Sequence, residues 1–65
     1  MSSKLGHVFK KARLDKGLTQ SQLADKAGVY TNTYAKIERG EQNPSYSTIK
    51  KLTKVLDLDI SKIPD

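Results

Sequence analysis

The stretch LTQSQLADKAGVYTNTYAKIERG, Leu18 to Gly40, holds two short amphipathic segments on either side of Gly28. In the first, Thr19 and Gln22 have the spacing of a capping box, and Leu18 and Leu23 occupy the two positions of a hydrophobic staple. This predicts a helix from Thr19 to about Ala27, ended by Gly28. In the second, Tyr34 and Ile37 recur at helical spacing as far as Gly40, which predicts another helix only a few residues later. Its polar residues run against propensity. Thr31, Asn32 and Thr33 are poor helix formers, and Glu, Gln or Ala would serve stability better there. Something other than helix stability selects them.

Working outward, Leu5, Val8, Phe9 and Ala12 describe a first amphipathic helix from about Ser3 to Lys16, with Gly17 as its stop. Beyond Gly40, the segment EQNP (Glu41 to Pro44) reads as a polar loop. Ser45 then caps a fourth helix whose inward face carries Tyr46, Ile49, Leu52, Thr53 and Leu56, with lysines at 50, 51 and 54 on the rest. Leu58, Ile60 and Ile63, before Pro64, supply a final turn or short helix that lids the core. No period-2 strand pattern or internal repeat is present. The expected fold class is all-α, with four or five helices in one domain spanning 1–65. A chain of 65 residues buries only about 60% of the surface its unfolded form exposes, which leaves room for a single core.

Composition narrows the chemistry. Twelve Lys and Arg against seven Asp and Glu give a net charge of +5, a substantial positive potential on so small a body and an attraction for polyanions. With no cysteine and a single histidine, His7, neither a disulfide nor a usual zinc ligand set can form. Asp25, Glu41, Asp57 and Asp59 lack metal-loop spacing. No nucleophile or carboxylate pattern accompanies His7, so the expectation is a non-enzyme without cofactor. No apolar run reaches the length of a membrane span or signal-peptide core, which suits a soluble protein.

Two helices joined by a tight turn form a helix-turn-helix, here at about 19–39, whose second helix can lie in a DNA major groove. Advancing about 100° per residue puts Tyr34 and Ile37 on one side of that helix, Asn32, Lys36 and Arg39 on the other, and Ala35 at the margin. The outward face thus combines an amide able to read adenine, cations able to reach guanine or phosphate, and small residues that permit close approach. The run LTQSQLADKAGVYTNTYAKIERGEQNPSYSTIKKLTKVL, above all LTQSQLADKAGV and IERGEQNPS, resembles the phage-repressor and Cro-like (XRE) family of helix-turn-helix regulators. With the preceding KKARLDKG the resemblance covers most of the chain.

The resemblance implies a lambda-repressor-like DNA-binding domain in which Thr31, Asn32 and Lys36 face base edges. Gln20 matches a position that contacts phosphate and buttresses the recognition helix. Thr33 and Arg39 fall among the backbone contacts, as do Asn43 and Ser45, where main-chain N–H groups also serve. Arg13 and Glu38 match a partly buried structural ion pair. The partner implied is double-stranded DNA, bound by a homodimer that uses Leu58, Ile60 or Ile63 with parts of the fourth helix, or that assembles on the DNA. A contact with RNA polymerase and a cytoplasmic, nucleoid-associated location go with this reading. A protein-bridging module with only nonspecific nucleic-acid affinity is the competing expectation. Two departures from the family pattern stand out. Tyr30 occupies the usual Ser/Thr cap position, where its distant hydroxyl cannot reach the first-turn amides; the usual register pairs Val29 with Tyr34 as a staple. Tyr34 replaces a smaller aliphatic residue, so its hydroxyl is expected to find a path to water or a partner. Tyr30 and Tyr46 are expected either half-buried or against the DNA backbone.

Overall fold

The computed structural model describes residues 4–59 and 61. Four α-helices lie among them: α1 (Lys4–Asp15), α2 (Gln20–Ala27), α3 (Thr31–Glu38) and α4 (Tyr46–Leu56). Ser3 of the expected first helix, and Ile60, Ile63 and Pro64 of the expected last turn, lie outside the described residues. No helix among the described residues is long and apolar enough to cross a membrane.

The starts of α2 and α4 and the closures of all four helices follow from their local sequence. The capping box of α2 forms in both directions: the Gln22 amide donates to Thr19 Oγ1 at 3.0 Å and the Thr19 amide to Gln22 Oε1 at 2.9 Å, satisfying two amides that a helix start otherwise leaves open. Ser45 caps α4 by accepting from the Thr48 amide at 3.2 Å. All four helices close through a left-handed residue, Gly17, Gly28, Gly40 or Asp57. In each case the next amide reaches back five residues: Leu18 to Arg13, Val29 to Ala24, Glu41 to Lys36 and Leu58 to Thr53, at 2.9–3.1 Å. This closure normally brings an apolar residue back onto the helix. Leu18, Val29 and Leu58 follow that rule and pack against the core. Glu41, after α3, does not.

The core consists of Phe9 from α1, Leu23, Ala24 and Ala27 from α2, Tyr34 and Ile37 from α3, and Leu52 and Leu56 from α4. Helices α1 and α2 each pack against both α3 and α4. Burial of Phe9, Leu23, Tyr34, Ile37 and Leu52 is complete or nearly so, and truncating such side chains costs about 2–5 kcal/mol each. Tyr46 departs from its expected inward place, being 66% exposed. Helical side chains lean toward the N-terminus, so a residue in the first position of α4 extends past the helix end instead of over the core. Its ring lies 5.7 Å from the Lys50 ammonium. Thr53 is buried as expected and donates its hydroxyl to the Lys50 carbonyl at 3.1 Å.

Helix α1 approaches the end of α3 closely at Gly6. A Cβ there would meet the main-chain carbonyl oxygens of Ile37 and Glu38, the former at 2.7 Å, and the Glu38 carbonyl carbon at 2.9 Å. Backbone cannot move aside as a flexible side chain can. Glycine thus lets α1 lie directly on the last turn of α3, although it weakens the helix by about 1 kcal/mol relative to Ala. Gly6→Ala should lower the melting temperature despite its propensity gain, because overpacking costs about 1–3 kcal/mol. A melting temperature equal to or above the wild type in a thermal denaturation would contradict this packing.

Candidate nucleic-acid interface

The turn between α2 and α3 is short because Gly28 adopts φ 72°, its amide bonds to Asp25 O and the Val29 amide to Ala24 O. The N-cap of α3 is Tyr30, in extended conformation and without a side-chain cap hydrogen bond. The usual family register therefore holds, with Val29 on the core and Tyr34 inside it. Tyr30 is not half-buried; it is 84% exposed beside the start of α3.

Burial along α3 follows the wheel. Tyr34 and Ile37 are buried, Thr31, Asn32, Lys36 and Arg39 are exposed, and Thr33 and Ala35 are intermediate. Asn32 and Lys36, one turn apart, thus share an outward surface, and Thr31 is exposed at the edge of it in the first turn. Eight residues are too few for a helix to be stable by itself, so the aim of this surface depends on what grips the other side.

That grip centres on Arg13 and Glu38. Arg13 Nε donates to Glu38 Oε2 at 2.7 Å and Nη2 to Oε1 at 3.3 Å, while Nη1 donates to the Leu18 carbonyl at 2.8 Å. Gln20 Nε2 donates to Glu38 Oε1 at 3.0 Å. The Arg13 and Glu38 side chains retain only 9% and 4% of their exposure. Burial alone would raise the Glu38 pKa, but the hydrogen bonds from Arg13, with the Tyr34 hydroxyl and Gln20 adding, hold it below the ordinary 4.5. The path to water expected for the Tyr34 hydroxyl does not exist: Tyr34 is fully buried, and the polar group its hydroxyl meets is the Glu38 carboxylate. The ring instead fills the centre of the core. Burial, and then the interaction of its hydroxyl with the Glu38 carboxylate and that group's charge, push its pKa far up.

The remaining candidates lie near the C-terminal end of α3 and the loop after it. Arg39 is exposed, but its fork is engaged: Nε donates to Glu41 Oε2 at 2.9 Å and Nη2 to Oε1 at 3.2 Å. Asn43 is exposed. The Ser45 hydroxyl is used within α4, since its oxygen caps the helix and its hydrogen goes to Thr48 Oγ1 at 3.1 Å. Gln20 has one amide hydrogen committed to Glu38 and only partial exposure. Sequence reasoning missed Gly6 and the Leu18 carbonyl as parts of the support, and Glu41 as the partner of Arg39. A glycine within an otherwise helical pattern was the available signal for Gly6.

A buried ion pair behind a short helix whose opposite face is polar and open, joined by a tight glycine turn to a capped preceding helix, defines a helix-turn-helix DNA-binding domain. The family profile described as "Helix-turn-helix" matches residues 9–63. The transcriptional regulator SinR of Bacillus subtilis strain 168 is 39% identical over 62 residues, covering 94% of this chain and 56% of SinR. The immunity repressor of Bacillus phage phi105 is 39% identical over 59 residues, 91% of this chain and 41% of the repressor. The crystal structure of SinR, the master regulator for biofilm formation, in complex with DNA superposes with a TM-score of 0.88 at 39% identity, covering 94% of this chain and 98% of that one. The chain belongs to the XRE-type helix-turn-helix family of DNA-binding transcription regulators. It spans about half the length of the curated relatives it matches.

The Glu38 carboxylate sets an acid limit on this support. Its folded pKa lies below the unfolded one, so its contribution to stability is complete above about pH 4.5 and is lost as pH falls through the folded value. Glu38→Gln should therefore be less stable at neutral pH and lose stability less steeply below that pH, since Glu41 and Asp59, whose pKa values are also lowered, continue to titrate. Parallel curves of melting temperature against pH for the two proteins would contradict the assignment.

Proposed function

We propose that this chain is the DNA-reading unit of a sequence-specific transcription regulator, acting as a repressor that binds a two-fold symmetric operator as a dimer. The observation that carries this reading is the exposed surface of Asn32 and Lys36 opposite the buried Tyr34 and Ile37, with exposed Thr31 at the start of the helix beside it. In a major groove, Asn32 can pair with the N6 and N7 positions of adenine, Lys36 can donate to guanine, and Thr31 lies at the entering end of α3. Thr33, Arg39, Asn43 and Ser45 flank this surface and serve the phosphate backbone, Ser45 through its main chain because its hydroxyl is occupied. Gln20 links the two functions: one amide hydrogen holds Glu38, and the other is available for a phosphate. Binding over promoter DNA would exclude polymerase, or an adjacent surface would contact it. A cytoplasmic protein gathered on the nucleoid suits this activity. The dimer contact would use Leu58, half-buried against the core, Ile60 or Ile63 with parts of α4, unless the dimer assembles only on DNA. A bridging module has no need to expose Asn32 beside Lys36.

Selection of bound sequences from a random duplex pool tests the proposal, with expected enrichment of two related half-sites about one helical turn apart. A dimer contacting roughly 6–10 phosphates should lose about 10³–10⁵ in affinity between 50 and 200 mM salt. Against the selected operator, Asn32→Ala should erase about 1–3 kcal/mol of discrimination at one base pair per half-site. Gln20→Ala should weaken binding to all sequences alike. An even loss across single-base operator variants for Asn32→Ala would overturn the base-reading role, and a pool without enrichment would favour the bridging module.

A further inference from the structure

We propose that in the free chain Glu41 occupies the guanidinium fork of Arg39 that a DNA phosphate takes in the complex, so that Glu41 limits affinity and dampens the salt response. The inference rests on the reading of α3 as the DNA-reading helix and deepens it. Three observations carry it. The contact is two-pronged, Nε to Oε2 at 2.9 Å and Nη2 to Oε1 at 3.2 Å. A carboxylate thereby presents to arginine the same pair of oxygens that a phosphate does. Both side chains remain more than half exposed, at 54% and 56%, so the pair is open to exchange with an incoming anion.

The second observation concerns the backbone. Gly40, at φ 77°, turns the chain back, and the Glu41 amide bonds to Lys36 O at 2.9 Å. The carboxylate is thus anchored at the end of the recognition helix by the closure of that helix. It also lies in the field of Lys36, which adds to the stronger effect of Arg39 in holding its pKa down.

The third is the departure noted in the fold. After α1, α2 and α4 the corresponding residue is Leu18, Val29 or Leu58, each packed on the core; after α3 it is an exposed carboxylate. Packing does not account for it there, and its side-chain hydrogen-bond partner among the described residues is Arg39. The other edge of the guanidinium stays open, but a phosphate bound there would face the Glu41 charge across a single planar group. When phosphate takes the fork, the released carboxylate stays beside it, so the pair brings no net positive charge to the DNA and frees fewer counterions than Arg39 alone would.

A double-mutant cycle on duplex DNA separates this exchange from simple repulsion. Affinities of the wild type, Glu41→Gln, Arg39→Gln and the double variant for one mixed-sequence duplex are measured from 50 to 200 mM salt, with melting temperatures to establish that all are folded. Glu41→Gln should tighten binding about two- to fivefold per chain, the range set by an exposed ion pair, and steepen the log–log salt slope by about one. In the Arg39→Gln background, Glu41→Gln should change neither quantity. An equal gain in both backgrounds, or a loss of affinity on Glu41→Gln alone, overturns the exchange while leaving DNA binding intact. Failure of the wild type to bind the duplex at low salt overturns the DNA reading and this inference with it.

Discussion

The Arg13–Glu38 ion pair is the constraint on which the reading surface depends, because it joins α1, the entry to α2 and the last residue of α3 at one place. Arg13 spends its donors on Glu38 and on the Leu18 carbonyl, and Gln20 adds a bond to the same carboxylate. Such a pair contributes little net stability compared with a well-packed apolar replacement, but loss of one partner leaves a buried charge and costs about 3–5 kcal/mol. Its effect is therefore geometric as much as energetic. Gly6 lies two helical turns before Arg13 on the same side of α1, and its missing side chain brings the α1 backbone onto the Ile37 and Glu38 carbonyls. Backbone contact and ion pair together fix how far α3 stands from α1.

The other end of α3 is held differently. Tyr30 supplies no cap hydrogen bond, and the start of the helix is located by Val29 and Tyr34 in the core. The Tyr34 hydroxyl is buried along with that packing. A large ring gives α3 an anchor that a smaller aliphatic residue would not, and it sits beside the Glu38 carboxylate, whose charge bears on it. The recognition helix is thus clamped by packing at its N-terminal half and by charge at its C-terminal end. Between these clamps, Thr31, Asn32 and Lys36 are left to solvent.

Much of this was legible in the sequence because it was local. Thr19 and Gln22, Ser45 and the three glycines at 17, 28 and 40 act within a few residues, and apolar spacing in α3 separated Tyr34 and Ile37 from Asn32 and Lys36. The Arg13–Glu38 pair spans 25 positions and came from the family resemblance, not from any local rule. Tyr46 was misplaced because periodicity ignores where a helix begins relative to the core. For Tyr34 the spacing gave burial but not the absence of a path to water, because how tightly a hydroxyl is covered depends on packing from other helices. Gly6 and the Arg39–Glu41 fork were overlooked for related reasons: one depends on an approach between distant segments, the other on a left-handed turn that folds a side chain back over its neighbour.

The central claim is that one buried ion pair holds the recognition helix on the rest of the fold, and a double-mutant cycle in equilibrium unfolding tests it most directly. Arg13→Met and Glu38→Gln, singly and combined, are unfolded in denaturant under identical conditions. The account predicts a large loss for each single variant and a combined loss well below their sum, with a coupling on the order of 2 kcal/mol, within the range for residues sharing one network. Losses that add to within about 0.5 kcal/mol would show the two side chains acting independently, and the pair would not be what positions α3.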